Sequence, residues 1–200
     1  MAYDARHLAQ DSSRRTPDHI LVMAREVMGA IDLDPASDPE AQERVRAKVW
    51  YGPGSLYSED GLSWKWDLGC LAVEPTKVWL NPPGGMIDKV TLQPRQGGKG
   101  AVSSMAVWWA KLVHEFEAGR VSEFLFLSFT LEGLLNTQKW GSRPLQSFPF
   151  CVPSARLEFP SSNGGNTSSP AAGSAIAYGG PNVARFVQVF SRIGHVVVPR

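Results

Sequence analysis

From Thr16 to Ser128 the chain alternates segments that carry apolar residues at helical spacing with short apolar runs, several of them cut off by proline or glycine. Such an alternation leaves few ways to bury the apolar faces: it predicts an α/β sandwich, a largely parallel sheet with helices packed on it. Thr16 offers an N-cap and Pro17 suits the first helical position. Ile20, Leu21, Ala24, Val27 and Met28 then recur at helical spacing until Gly29 closes the helix. Ala30 to Asp34 reads as a short strand stopping at the turn Pro35-Ala36-Ser37. Asp38 and Pro39 repeat the cap-plus-proline signal for a helix reaching about Lys48, and Val49-Trp50-Tyr51 is the next strand.

After a turn-rich stretch, Gly52 to Pro75, the run Lys77-Val78-Trp79-Leu80 forms a strand that ends at Asn81-Pro82-Pro83-Gly84, where two prolines forbid both helix and ladder pairing. Gly85 to Ser104 reads as a long exposed loop. Met105, Trp108, Trp109, Leu112 and Phe116 stripe a helix ending at Gly119, and Glu123 to Ser128 is a buried strand. Phe148 to Val152, Arg156 to Phe159, Ser174 to Tyr178 and His195 to Val198 read as strands, with a helix through Val183, Phe186, Val187 and Phe190. These strands predict a mixed C-terminal edge. Met1 to Arg15 reads as a loose arm ahead of a single domain, 16–200, and Pro160 to Gly173 as a second long loop.

Composition narrows the function classes. A hydrophobic fraction of 43% excludes a disordered chain, and a net charge of +1 excludes holding nucleic acid by bulk charge, though not by a local basic patch. The longest clean apolar run, Phe124 to Leu127, is far short of the roughly 20 residues that a membrane span needs. With no signal-like apolar stretch at the start, a cytoplasmic protein is expected. Cys70 and Cys151 lie far apart with no CxxC or Cys/His cluster, so neither a disulfide framework nor a metal site is expected.

Ligands of open α/β sheets sit beyond the carboxyl ends of the strands. Two places qualify: Asp32 to Ser37, and Asn81 to Gly84. A strand running into Asn-Pro-Pro makes a rigid corner of acceptors, because Pro82 offers a carbonyl and Pro83 has no N–H to compete for it. Together with the Asn81 side-chain oxygen that corner can accept both hydrogens of a planar amino group and aim its lone pair at an electrophile. A bare Asn-Pro-Pro is also an ordinary loop start, so the surrounding motifs have to decide.

Those motifs, Thr16-Pro17, Asp32-Leu33-Asp34-Pro35-Ala36-Ser37, Asp60-Gly61-Leu62 with Trp64, and Trp79-Leu80-Asn81-Pro82-Pro83, resemble the phage-type DNA adenine methyltransferase family. The run Ser174 to Gly179 followed by Phe186 and Phe190 is similar to that family's closing segment, so the resemblance covers roughly Thr16 to Val198. It implies a Rossmann-like sandwich that uses S-adenosylmethionine to methylate the exocyclic amine of adenine in DNA, in a bacterial host's cytoplasm. It implies catalytic roles for Asn81, Pro82 and Pro83. It further implies that Thr16 and Pro17 meet the cofactor's methionine end, and that the turn Asp34, Pro35, Ala36 wraps it. Asp32 or Asp34 would hold its ammonium or ribose, and Asp60 its adenine amino group. Asp60-Gly61 reads equally well as a plain turn.

The chain departs from the family at Gly84, where the family carries a stacking aromatic, and from the wider superfamily in the turn, where Ala36, Ser37 and Asp38 replace glycines. Reaching an amine inside a duplex requires flipping the base, which normally uses an aromatic platform. Trp108, Trp109, Trp140 and Phe148 are the candidates, with core packing the favoured reading for the first two. The alternatives are a binding module descended from the enzyme, or an enzyme acting on another amine. Lys89, Arg95 and Lys99, among glycines, are the candidates for contacts to the DNA backbone.

Overall fold

The structure, a computed structural model, describes residues 15–69, 76–128, 130, 147–160 and 173–200. Helix α1 (Asp18–Met28) leads through Gly29, at φ 80°, into strand β1 (Leu33–Asp34). Helix α2 (Pro39–Val45) is capped by Asp38, whose carboxylate accepts from the Ala41 amide, and is followed by β2 (Val49–Trp50) and β3 (Thr76–Leu80). Next come β4 (Met86–Asp88), β5 (Pro94–Arg95), β6 (Ala101–Ser103) and helix α3 (Ser104–Glu117). The chain finishes with β7 (Val121–Ser128), β8 (Phe150–Pro153), β9 (Ala175–Gly179), helix α4 (Val183–Phe190) and β10 (Gly194–Val197).

Seven strands form one sheet in the order β10-β8-β9-β7-β3-β1-β2. The half made of β2, β1, β3 and β7 is parallel, while β9 runs antiparallel to both of its neighbours and β10 antiparallel to β8. The fold is therefore α/β with a mixed sheet, parallel at one end. Strand alternation sorts the core into two faces. Leu33, Val78, Leu80, Phe124, Phe126, Ala175 and Ala177 pack under α3, with Trp66 and Trp109. On the opposite face Trp79, Leu125, Leu127, Ile176 and Tyr178 pack against α1 and α4. At the amino edge, the buried Glu123 accepts from the Tyr178 hydroxyl at 2.6 Å and from Asn182 Nδ2 at 3.0 Å, which ties β7 and β9 to the start of α4. The closing segment thus builds core, with Tyr178 stacked on Phe186.

Three expectations change. Residues 85–104 are not a loop: β5, β4 and β6 form a separate antiparallel sheet with Ile87 and Val102 buried beneath it. Arg156 to Phe159 forms no strand; Leu157 and Phe159 are buried against the α1 face, while β10 takes the edge beside β8. The helix after Pro39 stops at Val45 because Arg46 turns left-handed, at φ 49°, and the Lys48 amide pairs with the Ile31 carbonyl. Of the expected arm only Arg15 is described, and loop residues 161–172 and Cys70 lie outside the described residues; Cys151 is buried. Among the described residues no helix is long and apolar enough to cross a membrane.

Candidate functional site

The chain passes from β1 to β2 on one side, then returns to place β3 on β1's other side. Where the connections part in this way, a crevice opens beyond the carboxyl ends of the two strands, the usual ligand position in such sheets. Its walls are residues 35–37 and 81–84, the two places that the sequence singles out.

Asp34 shapes the first wall. Its Oδ1 accepts from the Ala36 amide at 3.3 Å, and its Oδ2 accepts from Gln42 Nε2 at 3.0 Å. Gln42 also donates to Ser37 Oγ at 2.7 Å and accepts from the Ala47 amide at 3.0 Å, so one α2 side chain holds the turn, the acid and the exit of its own helix. Asp34 is 3% exposed, and among the described residues it has no ion-pair partner. Burial lifts its carboxyl to about 7, against hydrogen bonds from Ser37, Ala36 and Gln42, with the charge of Asp38 adding to the rise.

Asp32 has the opposite surroundings. It precedes β1 at the amino end, with Oδ1 2.7 Å from Lys48 Nζ and Oδ2 accepting from the Lys77 amide at 3.0 Å. That carboxylate is matched locally and stands outside the crevice.

Across the crevice, Asn81 Nδ2 donates to Thr16 Oγ1 at 3.2 Å. Thr16 therefore does not cap α1: the N-cap is Pro17, one residue later than expected, and no side chain caps the helix. Arg15 reaches the other way, its guanidinium 2.6 Å from Asp38 and 2.7 Å from Glu40. Residues 15–17 thus cross from the start of α2 to the end of β3. Pro82 is buried, Pro83 exposed, and Gly84 is half-buried with no side chain to offer.

Residues 52–69 close onto the same turn. A Cβ on Gly61 would lie 1.9 Å from the Pro35 carbonyl oxygen, and one on Gly52 would lie 1.8 Å from that of Ser37. Both close approaches demand glycine. Gly61 is fixed from beneath, its carbonyl accepting from Trp66 Nε1 at 2.8 Å, with Trp66 stacked on Trp108. The Trp66 amide donates to Glu115, a buried carboxylate; burial raises that group, but Arg120, Lys111 and the Trp66 amide overcome the effect and hold it at about 2. Asp60 stands exposed beside Gly61, accepting from the Leu62 amide at 2.9 Å and from the Ser63 hydroxyl. This is the bonding of a turn, and it leaves the carboxylate facing water.

The aromatic candidates divide. Trp108, Trp109 and Phe148 are buried, Trp109 meeting Phe124, Phe126 and Phe148 edge-on at 6.1, 5.1 and 5.5 Å, so these are core residues. Trp140 lies outside the described residues. The exposed aromatics of the 52–69 segment are Tyr57 and Trp64.

The three-stranded sheet follows directly on residues 81–84, its two ends joined by the Ser104 amide donating to the Gly85 carbonyl at 3.1 Å. Arg95 works inside it: the guanidinium pairs with Asp88 and donates to the Gly97 carbonyl at 3.1 Å, pinning the glycine-rich crossing 96–100. Lys89 and Lys99 lie at the far end, exposed, and among the described residues neither has an ion-pair partner. Two of the three predicted basic contacts therefore remain available to an anion.

Sequence reasoning missed Gln42, Gly52, Arg15 and Glu115. Only Glu115 left a signal: it continues the stripe Trp108, Leu112 and so is an acid on a buried face, four residues after Lys111. Chemically, the crevice combines a buried acid without a cation, two turn backbones and a carboxamide beside a proline pair, a set suited to a cationic or donor-rich small molecule next to an amine. Compared with models of protein families, with curated proteins and with solved structures, the chain finds no match.

Proposed function

We propose that this chain is a methyltransferase of the Rossmann-like kind, moving a methyl group from S-adenosylmethionine to the exocyclic amine of adenine in DNA. The observation that carries the reading is the meeting, at one crevice, of four segments far apart in sequence: 15–17, 34–37, 60–61 and 81–83. An accidental Asn-Pro-Pro loop start has no reason to collect the other three.

The residues fit such a cofactor in kind. Asp34 is an acid with no cation beside it among the described residues, placed for an ammonium or sulfonium charge. The uncapped amides at the start of α1 suit a carboxylate. Asp60 keeps lone pairs for an amino group, since a carboxylate can accept about four hydrogen bonds. Asp32, already matched by Lys48, is left out of this assignment. Bound there, S-adenosylmethionine would supply an electrophilic methyl group, its thioether sulfur being the leaving group and water taking the proton that the methylated amine releases. Asn81 and the Pro82 carbonyl hold the two amino hydrogens and point the lone pair, with buried Pro82 and the ring of Pro83 keeping that corner from yielding. Lys89 and Lys99, exposed at the far end of the small sheet, meet the phosphates.

The test is transfer of labelled methyl to unmethylated DNA by purified protein. Label on adenine is expected, and its loss, by at least about a hundredfold, in Asn81→Ala. Label on cytosine would move the target to another base. No label together with no calorimetric binding of the cofactor would refute the enzyme.

One observation favours a second reading, a binding module that has lost transfer: Gly84 offers no ring, and Trp108, Trp109 and Phe148 are spent on the core. Under that reading Gly84→Tyr restores labelling to a silent protein.

A further inference from the structure

Resting on the methyl-transfer reading, we infer that Thr16 is a positioning residue for Asn81, setting which end of its amide faces the crevice, and not a contact for the cofactor. A carboxamide has two ends of almost the same shape and opposite chemistry, an acceptor oxygen and a donor NH2. The torsion that exchanges them is broad and soft. Only the oxygen can hold an amine; the reversed amide would set donor against donor. Something must therefore fix the amide before the substrate arrives.

Thr16 is built to do this. Its hydroxyl oxygen takes the Asn81 NH2 at 3.2 Å, which commits the donor end to the N-terminal segment. The threonine is itself held on both sides. Arg15 before it is tied to Asp38 and Glu40, and Pro17 after it, at φ −59°, starts α1 with its carbonyl accepting from the Ile20 amide at 3.0 Å. Buried to 5% exposure, the side chain meets the Asn81 amide from the interior of the protein. A threonine serving a cofactor would have no need of Asn81, 65 residues away in sequence. The anchors of Arg15 also lie at the start of α2, next to the turn 34–37, so three residues link the cofactor wall to the amine-holding wall.

The experiment uses the full chain with two substitutions and two readouts. Thr16→Val keeps the shape and removes the hydroxyl, whereas Thr16→Ser keeps the hydroxyl. For Thr16→Val, kcat for methyl transfer to DNA should fall about 10- to 100-fold, the scale of a reacting group misplaced by about an ångström, with calorimetric affinity for S-adenosylmethionine unchanged. Thr16→Ser should stay within about threefold of the parent, since the acceptor remains. In side-chain amide NMR spectra, the Asn81 NH2 pair, assigned by its absence from Asn81→Ala, should move in Thr16→Val and stay in Thr16→Ser. The inference is overturned if Thr16→Val weakens cofactor affinity and recovers full kcat at saturation, or if Thr16→Ser loses as much as Thr16→Val. Should the parent transfer no methyl at all, the methyl-transfer reading fails alone, and the spectra still decide: an Asn81 pair unmoved in Thr16→Val overturns the positioning role.

Discussion

Asp34→Asn tests the electrostatics of the crevice with one atom changed. The wild-type carboxyl is lifted from the ordinary 3.8 to about 7, chiefly by burial. The folded protein therefore holds this proton more tightly than the unfolded chain does. The sign follows: the contribution to stability is fully present below pH 4 and is lost as pH rises through the folded value near 7. About three pH units at about 1.4 kcal/mol each make the whole span about 4 kcal/mol. Between pH 5 and pH 8 roughly two of those units are crossed, so the wild type should lose about 3 kcal/mol relative to Asp34→Asn. The substitution itself carries a constant penalty, since an amide has one acceptor atom where the acid offers two, to Ala36 and to Gln42. That penalty is independent of pH and drops out of the comparison. Urea unfolding of both proteins at pH 5, 6, 7 and 8 reads the difference directly, from midpoints at unchanged m. Adding S-adenosylmethionine should flatten the wild-type fall, because a cation beside Asp34 favours its ionised form. Parallel pH profiles for the two proteins would show that Asp34 is ionised and matched in the folded state, and would refute this account of the crevice.

Two further outcomes follow from the geometry. Gly61→Ala drives a methyl to 1.9 Å from the Pro35 carbonyl, and both partners are backbone, so the turn must give way; overpacking of this kind costs about 1–3 kcal/mol, seen as a lower urea midpoint, and cofactor affinity should fall with it. The double variant Lys89→Ala with Lys99→Ala should lower the slope of log K for duplex DNA against log salt by about 1.8, two phosphate contacts' worth, with kcat at saturating DNA unchanged; an unchanged slope would remove the small sheet from the DNA interface.

How much of this was legible beforehand depends on the range over which each signal acts. Helix α1, the cap at Asp38 and the strand ending at Asn81 are local features, and each is found within two or three residues of its expected place. Arg156 to Phe159 shows the limit of local pattern. Its alternation correctly marks Leu157 and Phe159 as buried, but alternation reports burial, and a strand also needs a free edge to pair with. Residues 85–104 hid their sheet for the converse reason. Strands of two and three residues leave no periodicity, and neither their ladders nor the ion pair that braces them, Arg95 with Asp88 seven residues away, is announced by the spacing.

The same distinction governs the candidate site. Two walls follow from one general rule about strand ends, and the resemblance groups the motifs, but which atoms touch, Thr16 to Asn81 and Gly61 to Pro35, is non-local and cannot be read from spacing. The acids make the point most sharply. Asp32, Asp34 and Asp60 are interchangeable as letters, and the resemblance offers Asp32 or Asp34, and Asp60, to the cofactor. Folding separates them by what it sets beside each: Lys48 against Asp32, water and a turn around Asp60, and burial with only neutral donors around Asp34. An acid buried without a cation is costly to keep ionised, which is why burial lifts the Asp34 carboxyl to about 7. The net charge of +1 conceals this arrangement, since Asp32 is matched by Lys48 and Arg95 by Asp88 within the fold. Among the described residues, Asp34 at the crevice and Lys89 and Lys99 at the far end of the small sheet are left without an ion-pair partner.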